Sequence, residues 1–216
     1  MKVLLLALTV AICLHKNEAA MGWDGIQAVS VSGFQCLKNN GFSFFVARAW
    51  EEVCDYDYTG YQNIKNAWAA GFAHVDAYMF PSHSSSCAPA TNQMEATLNQ
   101  LVAHGANIGT IWLDIERSSW PADKAANQQF ITDLINQAQK MGKPVGVYTN
   151  YNNWDAIVGA GWTGASHVPL WYADWDGSQS WSGFSSFGGW TQPAMKQYIG
   201  NENGPCGVSM DRNWYA

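Results

Sequence analysis

The chain has 216 residues, 48% of them hydrophobic and 13% charged, with a formal net charge of −6. That length and apolar fraction suit a single globular domain with a large core. The acidic balance and the lack of any basic patch exclude nucleic acid as a partner and offer no electrostatic attraction to an anionic wall.

The first 20 residues, "MKVLLLALTVAICLHKNEAA", have the pattern of a secretory leader. Lys2 gives a basic start, the apolar run from Val3 to Leu14 is too short to span a bilayer, and Ala19 and Ala20 are small. The expected organisation is a leader over residues 1–20 and one domain over 21–216, in a monomer secreted to the extracellular space or a digestive lumen. No later apolar run is long enough for a membrane helix, so no membrane partner is expected. Cys13 departs with the leader and leaves Cys36, Cys54, Cys87 and Cys206, an even number suited to an oxidising compartment. Their spacing does not match a zinc site, no HExxH occurs, and the five His are scattered, so neither metal nor cofactor is expected.

Apolar, β-branched and aromatic runs then alternate with amphipathic stretches. The expected strands are "GIQAVS" (25–30), "FSFFVARA" (42–49), "FAHVDAYMF" (72–80), "IGTIWLDIE" (108–116), "KPVGVYTN" (143–150), "VPLWYAD" (168–174), "AMKQYIG" (194–200) and "GVSMD" (207–211). Helices are expected over 32–40, 61–70, 90–104, 122–141 and 151–158, the fourth marked by Pro121 and Asp123 at its start and Gly142 past its end. "DGSQSWSGFSSFGGWTQPA", before the last two strands, has no helical period. Strand–helix alternation predicts an α/β fold with a parallel sheet, here an irregular TIM-like (β/α) barrel of about eight strands and roughly five helices. In such a barrel Cys54 and Cys87 follow adjacent strands at one face. Cys36 lies in the first helix, and Cys206 precedes the last strand, which closes beside the first. The pairing Cys54–Cys87 and Cys36–Cys206 therefore needs the least backbone movement.

Barrel sites form at the carboxyl ends of the strands, where "WLDIE" puts Asp114 and Glu116. Alternation places Trp112, Asp114 and Glu116 on one face, with successive Cα atoms about 6.5–7 Å apart. Glycosidases need one carboxylic acid to protonate the leaving oxygen and a second group to stabilise the oxocarbenium-like centre. Aromatics are abundant, with 12 Trp, 9 Tyr and 9 Phe. Most should pack in the core, and the remainder are available to stack sugars. The D-x-x-D-x-D-x-E run of chitinases fits less well, because its upstream acids are replaced by Gly109 and Trp112.

"WLDIE", "GVYTN", "LWYAD" and the terminal "QYIG…GVSMDRNW", with "FSFFVARAWEE" and "DAYMF" before them, together resemble the glycoside hydrolase family 25 lysozymes (Chalaropsis type), in their secreted invertebrate branch. The resemblance implies a flattened barrel and a muramidase acting on bacterial peptidoglycan, at the β-1,4 bond between N-acetylmuramic acid and N-acetylglucosamine. It makes Glu116 the general acid, Asp114 the second carboxylate and Asp211 a further active-site acid. It places Arg48, Tyr78, Tyr148 and Trp171 in the groove, beside Trp112. Glu116 is expected to stay protonated among aromatics while Asp114 and Asp211 stay ionised. Asp114 would then attack directly or, preferably, assist the substrate's own N-acetyl group, with net retention. A structural role for Asp114, paired with Arg48, is the competing assignment. One feature departs from the family: its first strand ends in an acid, whereas "GIQAVS" offers Gln27 or Ala28, with Asp24 upstream as a candidate substitute. The alternative function is accordingly a catalytically weak or dead, sugar-binding (lectin-like) barrel.

Overall fold

The computed structural model describes residues 19–118 and 120–216. The leader expected at residues 1–20 lies, through residue 18, outside the described residues. Among the described residues the strands are β1 (Ala20–Gly25), β2 (Phe42–Trp50), β3 (His74–Met79), β4 (Ile111–Asp114), β5 (Val145–Thr149), β6 (Leu170–Ala173), β7 (Met195–Asn203) and β8 (Ser209–Tyr215). The helices α1 (Val31–Asn39), α2 (Tyr58–Ala69), α3 (Ala90–Ala103), α4 (Lys124–Lys140) and α5 (Tyr151–Ile157) follow β1 to β5 in turn. The strands close into one barrel in sequence order, as expected from the alternation. No helix of the described residues is long and apolar enough to cross a membrane.

Strand alternation builds two layers of core. From β2, Phe44 and Val46 point inward and meet Trp112, Tyr148, Trp171 and Met195. Phe45, Ala47 and Ala49 of the same strand join the shell between the sheet and the helices. Four of the helices start on a side-chain cap: Ser30, Asp57, Asp123 and Asn150 each accept a backbone N–H of the first turn. The Asp57 cap explains why α2 begins at Tyr58, before the expected 61. Gly60 lets α2 lie directly on β2, since a Cβ there would stand 1.7 Å from the Arg48 carbonyl oxygen.

Two expectations are corrected. The first strand is Ala20–Gly25 and not residues 25–30. That later run sends its backbone groups to a side chain of α2: Val29 N–H donates to Asn63 Oδ1 (2.9 Å), and Asn63 Nδ2 donates to the Gln27 carbonyl (2.8 Å). The sheet is also not wholly parallel. β1 to β7 run parallel, but β8 is antiparallel to both β7 and β1. Residues 204–208 join β7 to β8, including a 3-10 turn at Pro205–Gly207. That is too short for a parallel crossover, which takes a dozen residues or more.

The disulfides are Cys36–Cys206 and Cys54–Cys87, as expected, with Cα separations of 6.1 and 5.9 Å. They span 170 and 33 residues of chain. In the chain-entropy account these loops are worth about 5 and about 4 kcal/mol. Replacing Cys36 and Cys206 by Ser should therefore lower the unfolding free energy by about 1 kcal/mol more than replacing Cys54 and Cys87. Guanidinium unfolding of the two double variants checks this, and a larger loss from the Cys54–Cys87 pair would contradict it.

Candidate active site

The carboxyl ends of β1 to β7 share one rim with the amino end of β8, and four acids gather there. Asp24 lies near the end of β1, Asp114 ends β4, Glu116 follows two residues later, and Asp211 lies near the start of β8. Asp24 and Asp211 are direct register partners on neighbouring antiparallel strands. Asp211 was expected at the rim as the end of a parallel strand; it reaches the rim because that strand runs in reverse. The observed first strand does carry an acid near its end, Asp24, upstream of Gln27 and Ala28. Gln27 instead bonds across to the start of β8, through Oε1 to Ser209 N–H (2.9 Å).

Two buried amides hold the Asp24–Asp211 half of the site. Asn213 Nδ2 donates to Asp24 Oδ1 (2.7 Å), and its oxygen accepts the Trp171 indole N–H (2.8 Å). Gln197 Nε2 donates to the same Asp24 oxygen (2.9 Å) and to Asp211 Oδ2 (3.3 Å). Asp211 Oδ1 accepts the Asn201 backbone N–H at 2.6 Å. On the other half, Asp114 is buried, and Glu116 is half-buried and within hydrogen-bond reach of both Asp114 and Asn153. Among the described residues, the buried Asp114 Oδ1 meets no N–H or O–H donor. As an acceptor it can take a proton shared with Glu116 or an N–H or O–H brought by a bound molecule.

Burial is the largest influence on all four acids, and it favours their neutral forms. Asp24 is pushed up to about 8, by burial first and then by the charge of Asp211, against the pull of the two amide donors. Asp114 is raised well above the ordinary carboxylate range by burial and then by the charge of Glu116. Glu116 is raised by burial and by Asp211, while its hydrogen bonds to Asp114 and Asn153 oppose the shift. Asp211 is raised by burial and partly restored by the Asn201 N–H. The upward shift of Glu116 agrees with the expected protonated acid, whereas that of Asp114 runs against its staying ionised. The larger upward shift falls on the deeper member of the pair, because it lacks the solvent that Glu116 retains.

Glu116 opens onto a cleft of about 360 Å³ lined by Tyr148, Asn150, Tyr151, Tyr172, Asp174 and Trp175, among others. Tyr151 and Trp175 are 52% and 55% exposed, which leaves aromatic surface open to stack on a sugar. A family model described as lysozyme-like protein 1 matches residues 15–198. The chain is 45% identical over 202 residues to Lysozyme-like protein 5 of Caenorhabditis elegans, covering 94% of each. It is 43% identical to Probable GH family 25 lysozyme 4 of Dictyostelium discoideum, across 100% of this chain and 99% of that protein. The chain belongs to the family 25 lysozyme-like proteins. Its barrel also superposes on the muramidase from Acremonium alcalophilum with a TM-score of 0.69, at 21% identity, over 91% of this chain and 93% of that one.

Within this family 25 barrel, the sequence-derived groove residues separate into different places. Tyr148 lines the cleft with Glu116. Trp171 is buried below it, and Tyr78 packs on Trp171 with ring centroids 6.4 Å apart. Trp112 points to the barrel floor, where its indole N–H donates to Asp76 Oδ2 (3.0 Å), because the two ends of a side-chain row this short face opposite openings. Arg48 is engaged by Asp57 (2.8 Å) and Glu51 (3.1 Å), not by Asp114. β4 ends at Asp114, so Glu116 belongs to the following loop and not to the strand. Sequence reasoning missed Gln197, Asn213, Asn153 and Trp175. A glutamine inside the apolar run "AMKQYIG" was the legible sign for the first of them.

The site also sets a pH dependence of stability. Asp24 titrates near 3.8 in an unfolded chain and near 8 in the fold, so between those values the folded state binds more protons. Its stabilisation is complete below about pH 4 and is lost as pH rises through about 8. The melting temperature should fall between pH 5 and pH 9, and Asp24→Asn should flatten that decline. Parallel slopes for the two proteins in thermal melts would rule out Asp24 as a source.

Proposed function

We propose that this protein is a secreted muramidase. It hydrolyses the β-1,4 bond between N-acetylmuramic acid and N-acetylglucosamine in bacterial peptidoglycan, with retention. The observation that carries the reading is the Asp114–Glu116 pair, one carboxyl sealed inside a family 25 barrel and the other open to a cleft with exposed aromatic rings. The lysozyme names of its relatives support the substrate class. The leader pattern of the first 20 residues and the two disulfides support secretion.

Glu116 is the proton donor. An acetamido N–H entering beside Asp114 supplies the donor that its Oδ1 lacks, and the Asp114 proton passes to Glu116 along their hydrogen bond. Glu116 protonates the glycosidic oxygen as that bond breaks, while the acetamido carbonyl oxygen attacks the anomeric carbon from the opposite face. The resulting oxazolinium N–H is held by the Asp114 carboxylate. Glu116, now anionic, takes a proton from the water that adds at the anomeric carbon and reopens the ring. Two inversions give net retention. Asp211 acts on this cycle through its charge, which favours the protonated form of Glu116 once the proton has passed from Asp114. The reading of a weak or dead sugar-binding barrel rested on Gln27 or Ala28 replacing the first-strand acid. Asp24 lies near the end of the first strand beside Asp211, and no specific observation favours that reading.

The wild-type protein should release reducing ends from peptidoglycan and not from chitin polymer. Glu116→Gln should cut that rate by about 10²–10⁴-fold while the melting temperature is kept. An undiminished rate in this variant would remove Glu116 from the chemistry. Asp211→Asn should also slow turnover, whereas Asp133→Asn on the outer helix α4 should not. Equal rates in those two variants would detach Asp211 from the site.

A further inference from the structure

Gln197 on β7 is 2% exposed, and no step above uses it. Its single carboxamide meets four partners from four parts of the fold. The oxygen accepts the Tyr148 hydroxyl (2.7 Å) and the Trp175 indole N–H (2.8 Å). The nitrogen donates to Asp24 Oδ1 (2.9 Å) and Asp211 Oδ2 (3.3 Å). The orientation of the amide is not free. An indole N–H only donates, so the atom facing Trp175 must be the oxygen, and both amide hydrogens must then face the two carboxyl groups.

We propose that Gln197 is a positioning residue that couples the sugar-facing edge of the cleft to the Asp24–Asp211 acid pair. Trp175 and Tyr148 are cleft residues, and Trp175 is more than half exposed. A sugar that presses on the indole therefore bears on the same amide whose hydrogens set the spacing and charge of the two acids. A residue that only filled the barrel would need neither a donor-only partner on one side nor two carboxyl groups on the other. The catalytic consequence rests on the muramidase reading; the effect on the acids does not.

The groups facing this amide and its acid partners come from every side of the mouth. Asp24 and Asp211 touch it, Glu116 and Asp114 approach from β4 and its loop, and Tyr148 approaches from β5. Tyr78 on β3 stands next, with the Arg48 guanidinium beyond it. Removing the amide hydrogens takes away a donor that favours the charged forms of Asp24 and Asp211. Both acids should then titrate at higher pH.

Three variants test the proposal: Gln197→Met, which removes both halves of the amide; Gln197→Glu, which keeps an acceptor and loses the NH2; and Trp175→Phe, which keeps the ring and loses the indole N–H. Carboxyl carbon NMR titration of the ligand-free proteins should show Asp24 and Asp211 moved to higher pH in both Gln197 variants. That readout stands even if wild-type protein proves inactive on peptidoglycan, an outcome that would sink the muramidase reading alone. In kinetics, the pH profile of kcat/KM should move to higher pH in Gln197→Glu. The Gln197→Met and Trp175→Phe effects should be non-additive, with the double variant at least several-fold better than the product of the single losses. Unmoved Asp24 and Asp211 titrations in a Gln197 variant that folds would overturn the proposal, as would strictly multiplicative losses. If Gln197→Met does not fold, Gln197→Glu carries the titration, and Tyr148→Phe paired with Trp175→Phe carries the cycle through the shared oxygen.

Discussion

The closing strand of the barrel runs against its neighbours, and the site depends on that reversal. An eighth parallel strand would present its carboxyl end at the mouth and would need a crossover that the chain after β7 does not have. The hairpin from β7 to β8 instead brings the first residues of β8 to the rim. Its register sets Asp211 against Asp24 and places Asn213, one side-chain repeat deeper, under the same carboxyl group. The Cys36–Cys206 bridge fixes the hairpin turn to α1, the helix that follows β1. Both strands that carry this acid pair are thereby held by one covalent tie as well as by their ladder.

Four carboxyl groups in one barrel mouth would repel each other if all were ionised, and burial makes full ionisation costlier still. The structure meets this by setting the groups at unequal depth, so that burial favours the neutral form of each to a different degree. Asp114 is sealed and raised the further of the two, while Glu116 retains contact with the cleft. Asp24 is sealed too, but two amide donors oppose its burial. The two halves are tuned by different means: a second acid for Asp114, and amides for Asp24. This inequality leaves Glu116, and not Asp114, as the member of the D-x-E pair that faces the cleft.

Much of this was legible in the sequence. Strands β2 to β6 are rich in β-branched and aromatic residues, the caps and Gly stops bound their helices, and the D-x-E ends an apolar run. The disulfide pairing followed from which loops share a face. The first strand was hidden because it contains Gly22, required where the Phe44 ring comes within 2.3 Å of the place a Cβ would take. It was hidden also because it starts at Ala20, among the small residues that close a leader. The more apolar "GIQAVS" was a better strand by composition but serves as a loop pinned by Asn63. Strand direction in the last hairpin leaves little mark on residue type. The unequal burial within the acid pair was not readable at all, since alternation gives only the face on which a side chain lies and not its depth.

β7 carries two buried polar residues side by side, on opposite faces of the sheet. Lys196 faces outward and binds Asp176 at 2.7 Å and Asp174 at 3.6 Å. Gln197 faces inward and binds Trp175, the residue between those two acids. A buried ammonium left without its carboxylates is costly, so Asp174 and Asp176 are held to the wall by more than their own exposed contacts. The Trp175 indole lies flat against Gly200, which leaves the ring 2.3 Å from where a Cβ would be. The segment after β6 has no helix to anchor it, unlike the segments after β1 to β5. It is anchored instead by neighbouring residues of the next strand, from both faces at once. The sugar-facing edge of the cleft is thereby part of the barrel wall, which keeps the aromatic platform and the acids in the fixed relation that oriented catalysis requires.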